Sequence, residues 1–203
     1  DRLIADSFAP PEIAIRLKIA NAKGVFTVDQ FVRSGKTCVM YEKLLLAEAE
    51  CRSGNAPECL TAADRALAAD PNNSDAHAWK GSALLAQALA APAAERQAKL
   101  KAARAEIARA NRADPDNPLP LLAYYRSFAE AGEAPPDIAV EGLMKVVDTV
   151  PAAPGPRLLL GEALVRRGNS AAARRTLLPV ANGAYETPER ARAQALLAGG
   201  VTG

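Results

Sequence analysis

The sequence predicts an all-α protein: a right-handed superhelix of about four stacked helical hairpins with a C-terminal capping helix, preceded by a small β-hairpin. Three observations point there. Prolines that stop helices recur at Pro71, Pro115 and Pro151, 44 and 36 residues apart, and the turn glycines Gly132 and Gly168 are also 36 apart. Apolar residues make up 49% of the 203 residues but aromatics only 4%, an Ala- and Leu-rich usage suited to closely packed helices. Within each repeat the apolar residues fall at helical spacing.

The first 36 residues differ from the rest. Ile13, Ile15, Leu17 and Ile19 alternate with Ala14, Arg16, Lys18 and Ala20, the period of a half-buried strand. Asn21-Ala22-Lys23-Gly24 reads as a turn and Val25-Phe26-Thr27-Val28 as a second strand. A helix starting at Pro11 is the alternative. Residues 1–36 therefore form an N-terminal extension, a β-hairpin or the remnant of a preceding domain, and 37–203 the repeat domain. Ser34-Gly35-Lys36-Thr37 resembles the end of a phosphate-binding loop, but Gln30 stands where that loop needs glycine. Ser34 or Thr37 is better read as a helix cap.

From Cys38 helices take over. Leu45, Leu46 and Ala49 line a helix ending near Ser53-Gly54-Asn55, and its partner runs from about Pro57 to the stop at Asp70-Pro71. The second unit opens at Ser74, carries Trp79, Gly81 and Leu84, and returns through Leu100, Ala103 and Ile107 to Asp114-Pro115. Its extra length fits a longer hairpin around Ala90-Ala91-Pro92-Ala93. The third runs through Leu121, Tyr125 and Phe128 to Gly132, then Ile138 to Val147. In the fourth, Gly161 lets the return helix approach closely, Ala173 offers it a small surface, and Gly168 ends the first helix. Thr187-Pro188 starts the capping helix, about 187–198.

Repeats of this length resemble the tetratricopeptide family, whose unit is ~34 residues. Matching positions include Ala47, Gly54, Ala66 and Pro71; Gly81, Leu84, Ala103 and Pro115; Phe128, Gly132 and Ala139; and Leu160, Gly161, Leu164, Gly168 and Ala173. The early aromatic of the family is missing from most units, Tyr125 stands where a small residue is usual, and Pro179 is expected to cut the last helix short. Softer motifs, Ala62–Pro71, Tyr124–Phe128 and Leu177–Ala181, resemble the C-terminal repeats of a bacterial family of gluzincin-like metallopeptidases. That likeness implies a bacterial soluble protein, in cytoplasm or periplasm, whose zinc domain would lie before Asp1. The absence of Met at position 1 is read as a mature fragment or excised domain.

Chemistry is harder to find. A net charge of +2 gives no reason to invoke nucleic acid, and no apolar run approaches the ~20 residues of a membrane span. The single histidine, His77, cannot make a two-histidine zinc helix and reads as a surface or packing residue. Cys51 and Cys59 flank a turn; unpaired small buried side chains are preferred over a disulfide, which would argue for a periplasmic or extracellular setting. The basic run Arg96, Lys99, Lys101, Arg104, Arg109 and Arg112 reads as a solvated outer face. No catalytic residue, metal or cofactor is expected.

The family resemblance implies a concave wall built from the first helix of each unit. It would present Trp79, Arg126, Glu48, Arg52, Glu162 and Arg166 to a protein or peptide, with Trp79 and Arg126 as anchors. The reading is a non-catalytic scaffold. The alternatives are an accessory region of a larger enzyme and homo-oligomer formation through the N-terminal segment.

Overall fold

The computed structural model describes residues 42–199. The expected β-hairpin and the Ser34–Thr37 motif lie outside them. Nine helices follow one another in the described residues: α1 (42–52), α2 (Ala56–Ala69), α3 (Ser74–Ala90), α4 (Ala93–Ala113), α5 (Pro118–Ala129), α6 (Asp137–Thr149), α7 (Pro154–Arg166), α8 (Ser170–Ala181) and α9 (Pro188–Ala198). They pair as four hairpins, α1 with α2 through the Cys51–Cys59 disulfide and a shared core and the other three by direct helix contact, with α9 packed on α7 and α8, as the repeat spacing predicts.

Local chemistry sets the boundaries. Among the described residues, Gly54, Gly132 and Gly168 alone have positive φ, between 72° and 82°. Each is followed by an N–H that reaches back to the helix: Asn55 to Glu50 O, Glu133 to Phe128 O, Asn169 to Leu164 O. This six-to-one closure is the glycine-dependent helix end. The second unit lacks it. There α3 has 17 residues and α4 has 21, against 12 to 14 in α2 and in α5 to α8, and the turn is made by Ala91-Pro92. The insertion is thus two longer helices.

Between units, Asp70–Asn73 and Asp114–Asn117 repeat one turn. The aspartate Oδ1 accepts from the N–H two residues on, and the asparagine caps the next helix at Ala76 or Leu119. Ser74 Oγ, donating to Ala110 O and accepting from Asn117 Nδ2, stitches the two turns together.

Within hairpins the helices touch closely. A Cβ at Gly81 would lie 2.5 Å from Ile107 Cγ1, and one at Gly161 would overlap the branch point of Leu177. The expected close approach at Gly161 holds, with Leu177 over it; Ala173 is fully buried nearby. Three expectations are corrected. Pro179 does not stop α8, which continues to Ala181: the proline removes one rung of the ladder, the one to Arg175 O, and the helix closes beyond it with the Asn182 N–H donating to Leu178 O and Val180 O. Cys51 and Cys59 are joined as a disulfide, their Cα atoms 4.9 Å apart, since the Gly54 turn folds α2 back against the end of α1. Arg104 turns inward rather than to solvent, as described below.

The first helices α3 and α5 touch across units, and α7 touches the capping helix α9, whereas α5 with α7, and the second helices α2, α4, α6 and α8 with one another, share at most marginal contact. The first helices thus form one layer of the repeat, the inner layer, and the second helices, which diverge from one another, the outer one.

Candidate functional site

The inner layer carries the residues expected at a partner-binding wall. On α1, Glu48 and Arg52 form a 2.8 Å ion pair one turn apart. On α5, Arg126 Nε donates to Glu130 Oε1 at 2.6 Å. On α7, Glu162 accepts from Arg192 of α9 at 2.9 Å, and Arg166 Nη2 donates to the Tyr125 hydroxyl at 2.7 Å. Arg52, Arg126 and Arg166 are exposed. Trp79 is half-buried: its indole packs on Leu44, Ala66 and Ala76 and on Ala47, Ala62 and Ala63, filling the junction between the first two units. Its carbonyl oxygen lies 3.5 Å from each sulfur of the disulfide.

Tyr125 stands where the family prefers a small residue, yet it is well accommodated. It is fully buried at the centre of the largest core cluster, with Leu143, Val147, Leu160 and Ala163 around it. Its hydroxyl can also donate to Leu159 O at 3.4 Å. Burial pushes the phenol above its ordinary value of 10.0, and the Arg166 guanidinium partly counters it. One aromatic thus bridges units three and four.

Two further polar joints are not legible in the sequence. Arg104 stacks over Phe128, 3.8 Å from the ring centroid, donates to Ser127 O and Oγ, and pairs with Glu133 at 2.8 Å. His77 Nδ1 sits 2.6 Å from Glu106 Oε1, and its Nε2 is 2.9 Å from Pro71 O. Glu106, only 5% exposed, also accepts from Arg109. Both ring nitrogens are committed, so His77 fastens α3 to α4 and to the preceding turn and has none left to activate a nucleophile. Among the described residues no three His, Cys, Asp or Glu side chains converge to hold a metal ion, and no helix is long and apolar enough to cross a membrane.

The outer layer holds a cleft that sequence reasoning missed. Where α4 and α6 splay, a cavity of about 450 Å³ opens onto the back of α5. Its floor is Pro120, Leu121 and Tyr124; Ile107, Ala108 and Asn111 form one wall, and Ile138, Glu141, Gly142 and Lys145 the other. Asn111 was the legible clue, a polar residue one turn beyond Ile107 on an otherwise apolar stripe.

No family model matches the chain. Short stretches match curated plant enzymes: 50% identity over 46 residues with the probable peroxisomal acyl-activating enzyme 17 of Arabidopsis thaliana, and 52% over 44 with enzyme 18 of the same plant. A third, hexanoyl-CoA synthase of Cannabis sativa, is 42% identical over 45 residues. These stretches are 22 to 23% of this chain and 6% of the length of each enzyme. A solved thermophilic TPR protein from Thermus thermophilus superposes with a TM-score of 0.64, covering 90% of this chain and 96% of its own, at 18% identity. The fold is therefore that of a tetratricopeptide-like helical repeat.

Proposed function

We propose that this chain is a non-catalytic scaffold that holds a protein or peptide along its inner, first-helix face. One observation supports the reading above the rest: charges of that face form local pairs in the first and third units, Glu48 with Arg52 and Arg126 with Glu130. Exposed pairs of this kind contribute only about 0–1 kcal/mol. They can exchange each other for groups on a partner at little cost. The reading adds Arg166 and Glu162 of α7 and Trp79 of α3, which lie on the first helices of the fourth and second units.

The test is a peptide library selected on the full chain and re-screened on Arg126→Glu and Arg52→Glu. At least a tenfold loss of binding in both variants is expected for the selected peptides. Peptides whose affinity is unchanged in both would remove the inner face from the account.

A second reading has specific support of its own. Matches to acyl-activating enzymes, and the resemblance to metallopeptidase repeats, suit an accessory region of a larger enzyme. The encoded sequence upstream of Asp1 decides between them: an HExxH-bearing or adenylate-forming domain there would favour it. The Cys51–Cys59 bond favours an oxidising compartment for either reading. Self-association through residues 1–36 is testable by light scattering after their deletion.

A further inference from the structure

The cleft on the outer layer has features that packing does not require. Gly142 lies inside α6, where glycine is a poorer helix former than alanine. A Cβ there would meet Leu121 at 3.4 Å, an ordinary contact, unlike the overlaps at Gly81 and Gly161. The backbone of α6 is thus left bare over the cavity although a methyl group would fit. Ile138, at the mouth, is 64% exposed.

The polar groups are unbalanced in one direction. Asn111 Oδ1 is closed off from solvent with no hydrogen-bond donor among the described residues. Glu141 stands on the opposite wall with no ion-pair partner among the described residues. Lys145, the cation of the lining, is already committed to Pro115 O at 3.0 Å and Asp116 at 2.9 Å. An occupant that fits brings apolar surface for Ile107, Leu121, Tyr124 and Ile138 and a positive charge for Glu141. An anionic occupant would be repelled by Glu141.

We propose that this cleft docks a segment of a partner polypeptide that presents a leucine-sized apolar side chain beside an arginine or lysine. About 450 Å³ is within the ~300–1,000 Å³ of ligand sites and accepts one such side chain with its backbone. The site lies on the layer opposite the inner face and stands whether or not that face binds.

The experiment is amide NMR titration of the ¹⁵N-labelled full chain with three probes: N-acetyl-Leu-Arg-amide, N-acetyl-Leu-Glu-amide and N-acetyl-Gly-Arg-amide. Saturable shifts at Asn111, Tyr124, Ile138 and Gly142 are expected with the first probe, with at least tenfold weaker binding of the other two. Glu141→Lys, at an exposed position, should keep the folded spectrum and lower affinity for the first probe at least tenfold. Gly142→Ala should also keep the fold and weaken binding by narrowing the cleft. No saturable shifts at those four residues, or equal binding of the Leu-Arg and Leu-Glu probes, would overturn the proposal.

Discussion

Gly161 and Gly142 both lie in the middle of helices, yet they do opposite things. Gly161 of α7 is pressed against Leu177 of α8, and a side chain there would collide with a fully buried neighbour. Gly142 of α6 faces a cleft, where a methyl group would only touch Leu121. The first glycine is explained by helix packing, the second is not. Hairpins in this molecule are close-packed units, and the room for specificity lies where neighbouring hairpins diverge. The same contrast separates two consecutive tyrosines: Tyr125 joins the core between units three and four, while Tyr124 lines the cleft and meets Phe128 edge-on, ring centroids 5.2 Å apart.

The largest expected effect comes from the close-packed side. Tyr125→Ala should cost about 3–5 kcal/mol, the range for emptying a buried aromatic site, and Tyr124→Ala distinctly less. Denaturant unfolding of both variants measures the difference, and equal losses would erase the distinction between core and cleft.

A smaller effect is tied to pH. The folded Tyr125 phenol ionises above 10.0, its value when unfolded. The protonated form is favoured by folding, so its contribution is fully present below that value and is lost as pH rises through the folded one. Tyr125→Phe should therefore flatten the alkaline limb of stability against pH, while costing about 1 kcal/mol near neutrality for the lost hydrogen bond. An alkaline limb as steep in the variant as in the parent would assign it to other groups.

Much of the fold is legible in the sequence because it is written in short-range chemistry. The Asp-Pro-x-Asn turns, the glycines at 54, 132 and 168, and the Thr187-Pro188 start act within a few residues, and each lies where its local rule puts it. Less can be read of features that depend on two distant segments meeting. Tyr125 looks like a departure from the repeat because its partner, Arg166, is 41 residues away. Arg104 belongs to a charged run that reads as all outward, yet Phe128 and Ser127 of the next unit draw it in. The disulfide follows from how far the Gly54 turn folds α2 back, which two cysteines eight apart do not reveal. The six inner-face residues are placed on the first helices by resemblance, and five of the six are charged residues of α1, α5 and α7. Trp79 is half engaged in packing, a matter of which hairpin stacks on its ring. The cleft requires knowing that α4 and α6 splay.

The most direct measurement compares Gly161→Ala and Gly142→Ala by denaturant unfolding of the same chain. Gly161→Ala should lose about 1–3 kcal/mol through overpacking against Leu177, and Gly142→Ala should gain up to about 1 kcal/mol from the better helix former. A loss of similar size in both would contradict the central claim, that tight hairpins leave an open cleft between α4 and α6.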